Sequence, residues 1–234
     1  MSTTTRNTNS ILFDLIALTK PRVNFLIIFT AIVGMLLAQD YNLDYHLMFY
    51  ASIGIYLAAS AAAVINHIVD QKIDAIMDRT KSRPLIKGNV TTNHAIYFSL
   101  FISALSTYIL FEYVNTITTI LTLFSIIVYS IIYSVYLKNL TSQNIVIGGI
   151  AGAMPPLLGW TAVTNGVSEL PLLLFLIIFL WTPPHFWALA VYKQEDYSKA
   201  NVPMLPVTHG ADFTRLHIFL YLSLIHISEP TRHE

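Results

Sequence analysis

The chain has 234 residues, of which 55% are hydrophobic and only 11% carry a formal charge, and its mean hydropathy is +0.60. A soluble domain normally has about 25% charged residues, so the composition excludes one and predicts a polytopic protein of the lipid bilayer. The net charge is zero, so the charge balance says nothing about nucleic acid, and the lack of cysteine excludes disulfides, thiolate nucleophiles and Cys-ligated metals.

The predicted elements begin after a polar segment, MSTTTRNTNS, that lacks the apolar core of a signal peptide. A membrane-spanning helix needs about 20 mostly apolar residues. Six segments meet or nearly meet that length, namely 22–39, 47–66, 94–111, 117–137, 145–163 and 170–192. The sequence therefore predicts an all-α, polytopic membrane helical bundle.

A seventh apolar stretch starts at Leu216 and gives way to SEPTRHE after about 12 residues, too few to cross the bilayer. We therefore expect six full transmembrane helices and part of a seventh. The terminal SLIHISEPTRH is similar to a translated sequencing adapter. On this basis we expect a single, C-terminally incomplete transmembrane domain over residues 1–222 and a non-native tail over 223–234.

Basic residues are distributed unevenly between the connections. All but one of the 13 Lys and Arg residues lie in the N-terminal segment and in the second, fourth and sixth loops, whereas the odd loops hold only acidic charges. The positive-inside rule places the N-terminus and the even loops in the cytoplasm. The second and sixth loops are also long, and long loops are often functional, so we expect the chemistry on the cytoplasmic face.

Four potential cation ligands, Asn66, Asp70, Asp74 and Asp78, recur at every fourth position after an apolar run. If the helix continues through residue 78, each step rotates by about 400°, so the four stay on one face, and the first three span about 12 Å. Oxygen ligands of this kind suit Mg²⁺ shared with substrate phosphates. A solvated helix end is the common explanation of such a ladder, but an Asn at the edge of a membrane segment favours a functional site.

A basic cluster follows the ladder directly, with Arg79, Lys81, Arg83 and Lys87 in the stretch DRTKSRPLIKG. Positive-inside charge explains part of this cluster. Guanidinium groups bind phosphate oxygens in a bidentate manner, and a diphosphate held between Mg²⁺ and basic residues requires both signs of charge together. The interleaving of acids and bases therefore favours a diphosphate site.

Later segments hold further candidates. Glu195 and Asp196 in the sixth loop suit either a second Mg²⁺ or a solvated loop. Trp187 suits the interfacial belt or a pocket for a flat or isoprenoid substrate, and His185 is a hydrogen-bonded packing residue more often than a ligand. Four small residues predict close helix packing, namely Gly148, Gly149, Gly152 and Ala153. Two Pro-Pro pairs, Pro155–Pro156 and Pro183–Pro184, predict helix breaks.

The stretch NHIVDQKIDAIMDRTKSRP resembles the N-x-x-x-D-x-x-x-D motif of the intramembrane prenyltransferases related to 4-hydroxybenzoate polyprenyltransferase. The strings DRTKSRPL, NIVIGGIAGAMPPLLGW, WTPPHFWALA and DYSKANVPMLPV are similar, in this order, to those of the protohaem IX farnesyltransferase (haem O synthase) family. The resemblance runs from about Leu18 to about residue 215 and covers most of the chain.

The resemblance implies nine transmembrane helices around a cavity capped by two aspartate-bearing loops. It implies a Mg²⁺-dependent transferase of the bacterial cytoplasmic (inner) membrane that uses farnesyl diphosphate and haem B and produces haem O and diphosphate. A terminal oxidase or haem A synthase is the implied assembly partner. By motif, Asn66, Asp70 and Asp74 match the first metal–diphosphate site and Asp196 the second, all four with catalytic roles. The expected substrate-binding residues are Arg79, Lys81, Arg83, Lys138, His185 and Trp187.

Three alternatives stay open on the sequence. A prenyltransferase acting on an aromatic quinone precursor would share the first motif. A cation transporter would need carboxylates near mid-membrane, whereas the acids of the predicted spans lie at their ends. A non-catalytic haem-binding subunit would need paired His on facing helices, and the sequence offers no clear pair.

Overall fold

The computed structural model describes residues 8–38 and 44–228, and these are helical almost throughout, with no strand among them. The outer parts of the expected tail and of the N-terminal segment, together with Arg6, Asp40 and Arg232, lie outside the described residues. The helices in chain order are α1 (Thr8–Leu18), α2 (Pro21–Leu37), α3 (Tyr45–Val69), α4 (Gln71–Ile76), α5 (Thr92–Tyr113), α6 (Thr116–Ile127), a π-helix (Val128–Leu137), α7 (Lys138–Leu140), α8 (Asn144–Thr164), α9 (Glu169–Tyr192), α10 (Gln194–Lys199), α11 (Leu205–His209) and α12 (Ala211–Ser228).

The long helices account for all six predicted membrane segments. Five spans are long and apolar enough to cross a membrane, and the bent pair α1–α2 makes a sixth when its two helices are counted together. The fourth span, Thr116–Leu140, is assembled from α6, the π-helix and α7. The prediction of an all-α membrane bundle is confirmed.

The seventh helix differs from the prediction. It begins at Ala211 rather than Leu216 and continues to Ser228. Gly210, with φ +86, separates it from α11, and the buried Thr214 donates its hydroxyl to the Gly210 carbonyl at 2.8 Å in the first turn of α12. The sixth loop is therefore shorter than expected, and residues 223–228 extend this helix. That residues 223–234 are non-native stays a prediction.

The Pro-Pro pairs do not break their helices, contrary to expectation. Pro155–Pro156 lie inside α8 and Pro183–Pro184 inside α9, and all four residues are buried. A proline removes one backbone donor from a helix, and neighbouring helices hold such a segment in helical form when they pack against it. Here α2 packs on α8 at Pro156, which lies against Gly34.

Close packing between α2 and α8 depends on glycine at two positions. A Cβ atom on Gly34 would collide with the Pro156 carbonyl, and one on Gly159 would collide with the Ala31 carbonyl. Two of the small residues noted in the sequence behave differently. A Cβ on Gly148 would collide with the Tyr133 side chain, whereas a Cβ on Gly152 would meet open space. Small residues thus set the approach of backbones here, at positions that the sequence identified only in part.

The connections with basic residues meet at one end of the bundle, which we call the charged end. It comprises the α1–α2 turn and the loops 70–91, 138–143 and 193–210. Side-chain contacts join these segments: Lys20 bonds to Asn66 and Lys138 to Asp70, and Met77 of the second loop and Tyr197 of α10 belong to one buried apolar cluster. The fold therefore brings the polar residues of four connections together.

The α2–α8 contact predicts a contrast between two glycine substitutions on one helix. Gly159→Ala should destabilise the protein, because overpacking against a backbone carbonyl costs about 1–3 kcal/mol. Gly152→Ala, the matched control, should be neutral or stabilising by up to about 1 kcal/mol through helix propensity. Unfolding midpoints in detergent measure both, and equal midpoints for the two variants would contradict the packing described here.

Candidate active site

Three of the predicted ligands lie together at the junction of α3 and α4. The junction is at Asp70 (φ −81, ψ 1), but backbone hydrogen bonds from Asp70 to Asn66 at 2.9 Å and from Asp74 to Asp70 at 2.8 Å preserve the helical spacing across it. Asn66, Asp70 and Asp74 are exposed by only 5%, 3% and 3%. They form the core of the charged cluster, which also contains Lys20, Arg83 and Lys138.

Asp78 does not join the cluster, because the helix does not continue through residue 78 as expected. Met77 is extended (ψ 127) and ends α4. The Thr80 hydroxyl then donates to the Asp74 carbonyl at 3.0 Å and turns the chain. Asp78 instead pairs with Lys81 at 2.6 Å on the surface, where their side chains are 74% and 60% exposed.

Asp70 is paired with a lysine from the fourth span. Lys138 Nζ lies 2.6 Å from Asp70 Oδ2, and the Asn66 amide nitrogen donates to the same oxygen at 2.9 Å. The side chains of Asp70 and Lys138 are exposed by only 4% and 13%. Since a buried carboxylate is costly without a partner, this ion pair is what allows Asp70 to be buried as a charged group.

The π-helix presents the residues of the fourth span to this site. Ser134, buried in its middle, accepts a hydrogen bond from Asn66 Nδ2 at 3.0 Å and donates to the Tyr129 carbonyl at 2.8 Å. Lys138 follows directly at its end. Segments of π-helix occur frequently at functional sites, and nothing in the sequence pattern indicated this one.

Asp74 is paired with Arg83 of the second loop, whose guanidinium contacts Asp74 Oδ2. His67 Nδ1 is 3.8 Å from that oxygen, too far for a direct hydrogen bond. Burial by itself would raise the pKa of Asp74, whereas the adjacent His67 and the Arg83 guanidinium lower it, and the net result is a pKa below the usual value. Asp74 is therefore a carboxylate at neutral pH.

Lys20 belongs to the same cluster, although the sequence identified it only as a topology-determining charge. Its Nζ donates to Asn66 Oδ1 at 3.0 Å. The charges of Asp70, Asp74, Arg83 and Lys138 all act on this ammonium group. Each of the three ligand residues on α3 and α4 thus contacts one cation, and the three cations come from three different segments.

The other predicted basic residues and Asp196 lie around the cluster. Arg79 is exposed, and Lys81 faces solvent in its pair with Asp78. Asp196 lines a surface cavity of about 740 Å³ with Lys193 and Lys199. Within residues 8–38 and 44–228 no hydrogen bond or ion pair joins Asp196 to the cluster, although its neighbour Tyr197 belongs to the same buried apolar cluster as Met77 of the second loop.

The structure does not bring His185 or Trp187 to the cluster. His185 is exposed and stacks on Trp181, with ring centroids 4.3 Å apart. Trp187 is fully buried against α12, where its ring meets Tyr221 edge-on at 5.4 Å. Trp187 packs α9 against α12, a tertiary contact that the sequence pattern does not show.

The donor set of the cluster fits a hard divalent cation that shares its coordination with phosphate. In the described part of the chain no three His, Cys, Asp or Glu side chains are arranged to hold a metal by themselves. However, Asp70 Oδ1 is buried and has no hydrogen-bond partner there. An unpartnered carboxylate oxygen suits Mg²⁺, which usually takes one or two carboxylates and completes its shell with substrate phosphates and water.

Comparison with known proteins identifies the family. Residues 27–228 match the model of the UbiA prenyltransferase family. The chain belongs to this family. The resemblance noted in the sequence is confirmed at the level of relatives too, since several curated proteins that are 51–54% identical over 89–91% of this chain are named protoheme IX farnesyltransferase.

Two of these relatives illustrate the similarity. The protoheme IX farnesyltransferase of Hahella chejuensis is 54% identical over 91% of this chain and 71% of its own length. The protein of the same name from Marinobacter nauticus is 53% identical over 91% of this chain and 70% of its own length.

Solved structures show the same fold at much lower identity. A structure of digeranylgeranylglyceryl phosphate synthase has a TM-score of 0.77 and 21% identity over 94% of this chain and 76% of that one. A UbiA homolog from Archaeoglobus fulgidus, solved with GPP and Mg²⁺, has a TM-score of 0.74 and 18% identity over 92% of this chain and 76% of that one.

The buried ion pair at Asp70 predicts a large stability effect. Lys138→Met should lower the free energy of unfolding by about 3 kcal/mol, because it leaves a buried carboxylate uncompensated. Lys81→Met, which breaks the exposed pair with Asp78, is the matched control and should leave the unfolding midpoint unchanged. Similar midpoints for both variants in detergent would show that Lys138 does not neutralise Asp70.

Proposed function

We propose that this chain transfers the farnesyl group of farnesyl diphosphate to a vinyl group of haem B and releases haem O and diphosphate. The observation that carries the proposal is the charged cluster, in which two buried carboxylates and an amide meet three cations at the end of an apolar bundle. The acceptor is supported by the identity of 50–54% to proteins named protoheme IX farnesyltransferase.

In this proposal Asn66, Asp70 and Asp74 hold Mg²⁺ together with the diphosphate, and Asp196 contributes to a second metal position from the sixth loop. The unpartnered oxygen of Asp70 supports this role, and so does the UbiA homolog solved with GPP and Mg²⁺. When bound, Mg²⁺ would neutralise negative charge on the departing diphosphate.

The basic residues bind the diphosphate and stabilise the charge that develops on it. Arg83 and Lys138 already point into the cluster through their pairs with Asp74 and Asp70. Arg79 and Lys81 lie on the adjoining loop surface, where they would attract the anion before it binds. Preorganised cations at the leaving group lower the barrier because they require no rearrangement during the reaction.

The reaction breaks the bond between C1 of the farnesyl chain and the diphosphate oxygen, which leaves with the electron pair. The π electrons of the haem vinyl group then form the new carbon–carbon bond to C1. The carbocation that results on the vinyl carbon takes up water and loses a proton, which gives the hydroxyethylfarnesyl arm. The apolar helices exclude water from C1 until the new bond has formed, and no protein nucleophile takes part.

The proposal also includes the orientation of the chain in the membrane. We propose that the charged end faces the bacterial cytoplasm, since it carries the basic loops, and that residues 1–222 act as one prenyltransferase domain in the inner membrane. The acids of the cluster sit at one end of the bundle, which disfavours a transporter. A terminal oxidase or haem A synthase remains the proposed assembly partner.

The proposal is tested by incubating the chain in membranes with haem B, farnesyl diphosphate and Mg²⁺ and measuring haem O by mass spectrometry. Asp70→Asn should lower haem O formation at least about 100-fold, since it removes a charge that holds the metal. Asp78→Asn, the matched control outside the cluster, should retain activity.

Two results would contradict the proposal. Haem O formation by Asp70→Asn at the wild-type rate would remove the metal role of that residue. Prenylation of 4-hydroxybenzoate without any haem O would replace the acceptor with a quinone precursor and leave the diphosphate site in place.

A further inference from the structure

We propose that Lys20, in the turn between α1 and α2, is a further diphosphate-binding residue of this site and orients Asn66 within it. The inference rests on the proposed function for the identity of the anion. It adds a fourth segment of the chain to a site that the motifs place on the second, fourth and sixth loops.

Hydrogen bonds hold the side-chain amide of Asn66 at both ends. Its amide nitrogen donates to Asp70 Oδ2 at 2.9 Å and to Ser134 Oγ at 3.0 Å, while its oxygen accepts from Lys20 Nζ at 3.0 Å. Both ends of the amide are therefore held, and only one orientation satisfies all three bonds. Lys20 thus fixes which end of the Asn66 amide faces Asp70.

The ammonium group of Lys20 has more donors than the described part of the chain satisfies. An ammonium group carries three N–H donors. In the described part of the chain, Lys20 Nζ makes a single hydrogen bond, to Asn66. Lys20 is partly withdrawn from solvent between the helices. A buried or half-buried cation needs its donors satisfied, and phosphate oxygens would supply two further acceptors at this position.

The charged cluster has more cations than carboxylates. The cluster contains three cations, Lys20, Arg83 and Lys138, and two carboxylates, Asp70 and Asp74. It therefore has one positive charge in excess before any metal ion binds. A divalent cation bound to the carboxylates increases that excess, and only an anion with several charges, such as a diphosphate, balances the total. Without Lys20 the protein part of the cluster is neutral.

The backbone of Lys20 is held in an unusual conformation. Lys20 adopts the left-handed conformation (φ 54, ψ 57) that is uncommon for residues other than glycine. Pro21 begins α2 directly after it, and Asn24 fastens the turn through bonds to the Thr19 carbonyl and to Ser60 Oγ, both at 2.9 Å. Such strained conformations persist where the surroundings enforce them and they cluster at functional sites. The turn thus aims this one side chain at Asn66.

The test measures Mg²⁺-dependent binding of inorganic pyrophosphate to the purified chain by calorimetry. Lys20→Met should weaken binding about 10- to 100-fold, the range for one hydrogen bond to a charged group. Lys72→Met is the matched control, because Lys72 is exposed on α4, and it should bind within about twofold of wild type. Lys20→Arg should restore most of the affinity, since it keeps the charge and the donors.

Lys20→Gln separates the two roles, because its amide can still donate to Asn66 but carries no charge. Weak binding by Lys20→Gln and recovery in Lys20→Arg would support direct contact with the anion, and this comparison decides the matter if Lys20→Met does not fold. Wild-type affinity in Lys20→Gln or Lys20→Met would overturn the proposal.

The proposed function can fail separately. If the wild type makes haem O and the Lys20 variants bind pyrophosphate normally, only the role of Lys20 is wrong. If the wild type binds pyrophosphate through Lys20 but makes no haem O, the acceptor is wrong. Absence of pyrophosphate binding in the wild type would overturn both.

Discussion

The structure of the charged end depends on the burial of two carboxylates, Asp70 and Asp74, at the end of an apolar helix bundle. Each would destabilise the fold if it were left without a counter-charge. The compensation comes from Lys138 at the end of the π-helix and from Arg83 in the second loop. These pairs draw separate segments onto the end of α3. We propose that the same cations that allow the acids to be buried also bind the incoming diphosphate.

Much of this arrangement could be predicted from residue patterns. Apolar runs of membrane-spanning length located the long helices to within a few residues, because length and hydropathy decide which segments cross a bilayer. Four-residue spacing also brought Asn66, Asp70 and Asp74 onto one face. The prediction from the same spacing was wrong for Asp78, because the extended backbone at Met77 ends α4. Residue periodicity does not predict that turn.

Other features depend on tertiary contacts that are not visible in the chain. The sequence indicated only that Lys20 is one of the positive-inside charges. The bent α1–α2 turn brings its side chain to Asn66. The π-helix has no sequence signature, although it places Ser134 and Lys138 at the site. Trp187 was expected at a substrate, but packing against α12 buries it completely. The prolines of α8 and α9 stay helical because neighbouring helices support them.

The central claim is that the two carboxylates and Asn66 hold a divalent ion that shares its coordination with the diphosphate. Crystals of the chain grown with Mn²⁺ in place of Mg²⁺ and a non-hydrolysable farnesyl diphosphate analogue would test it most directly by anomalous scattering. The account predicts an anomalous peak bonded to oxygens of Asn66 and Asp70 and to the diphosphate. A peak bonded elsewhere, or a diphosphate bound away from Asp70 and Asp74, would contradict it.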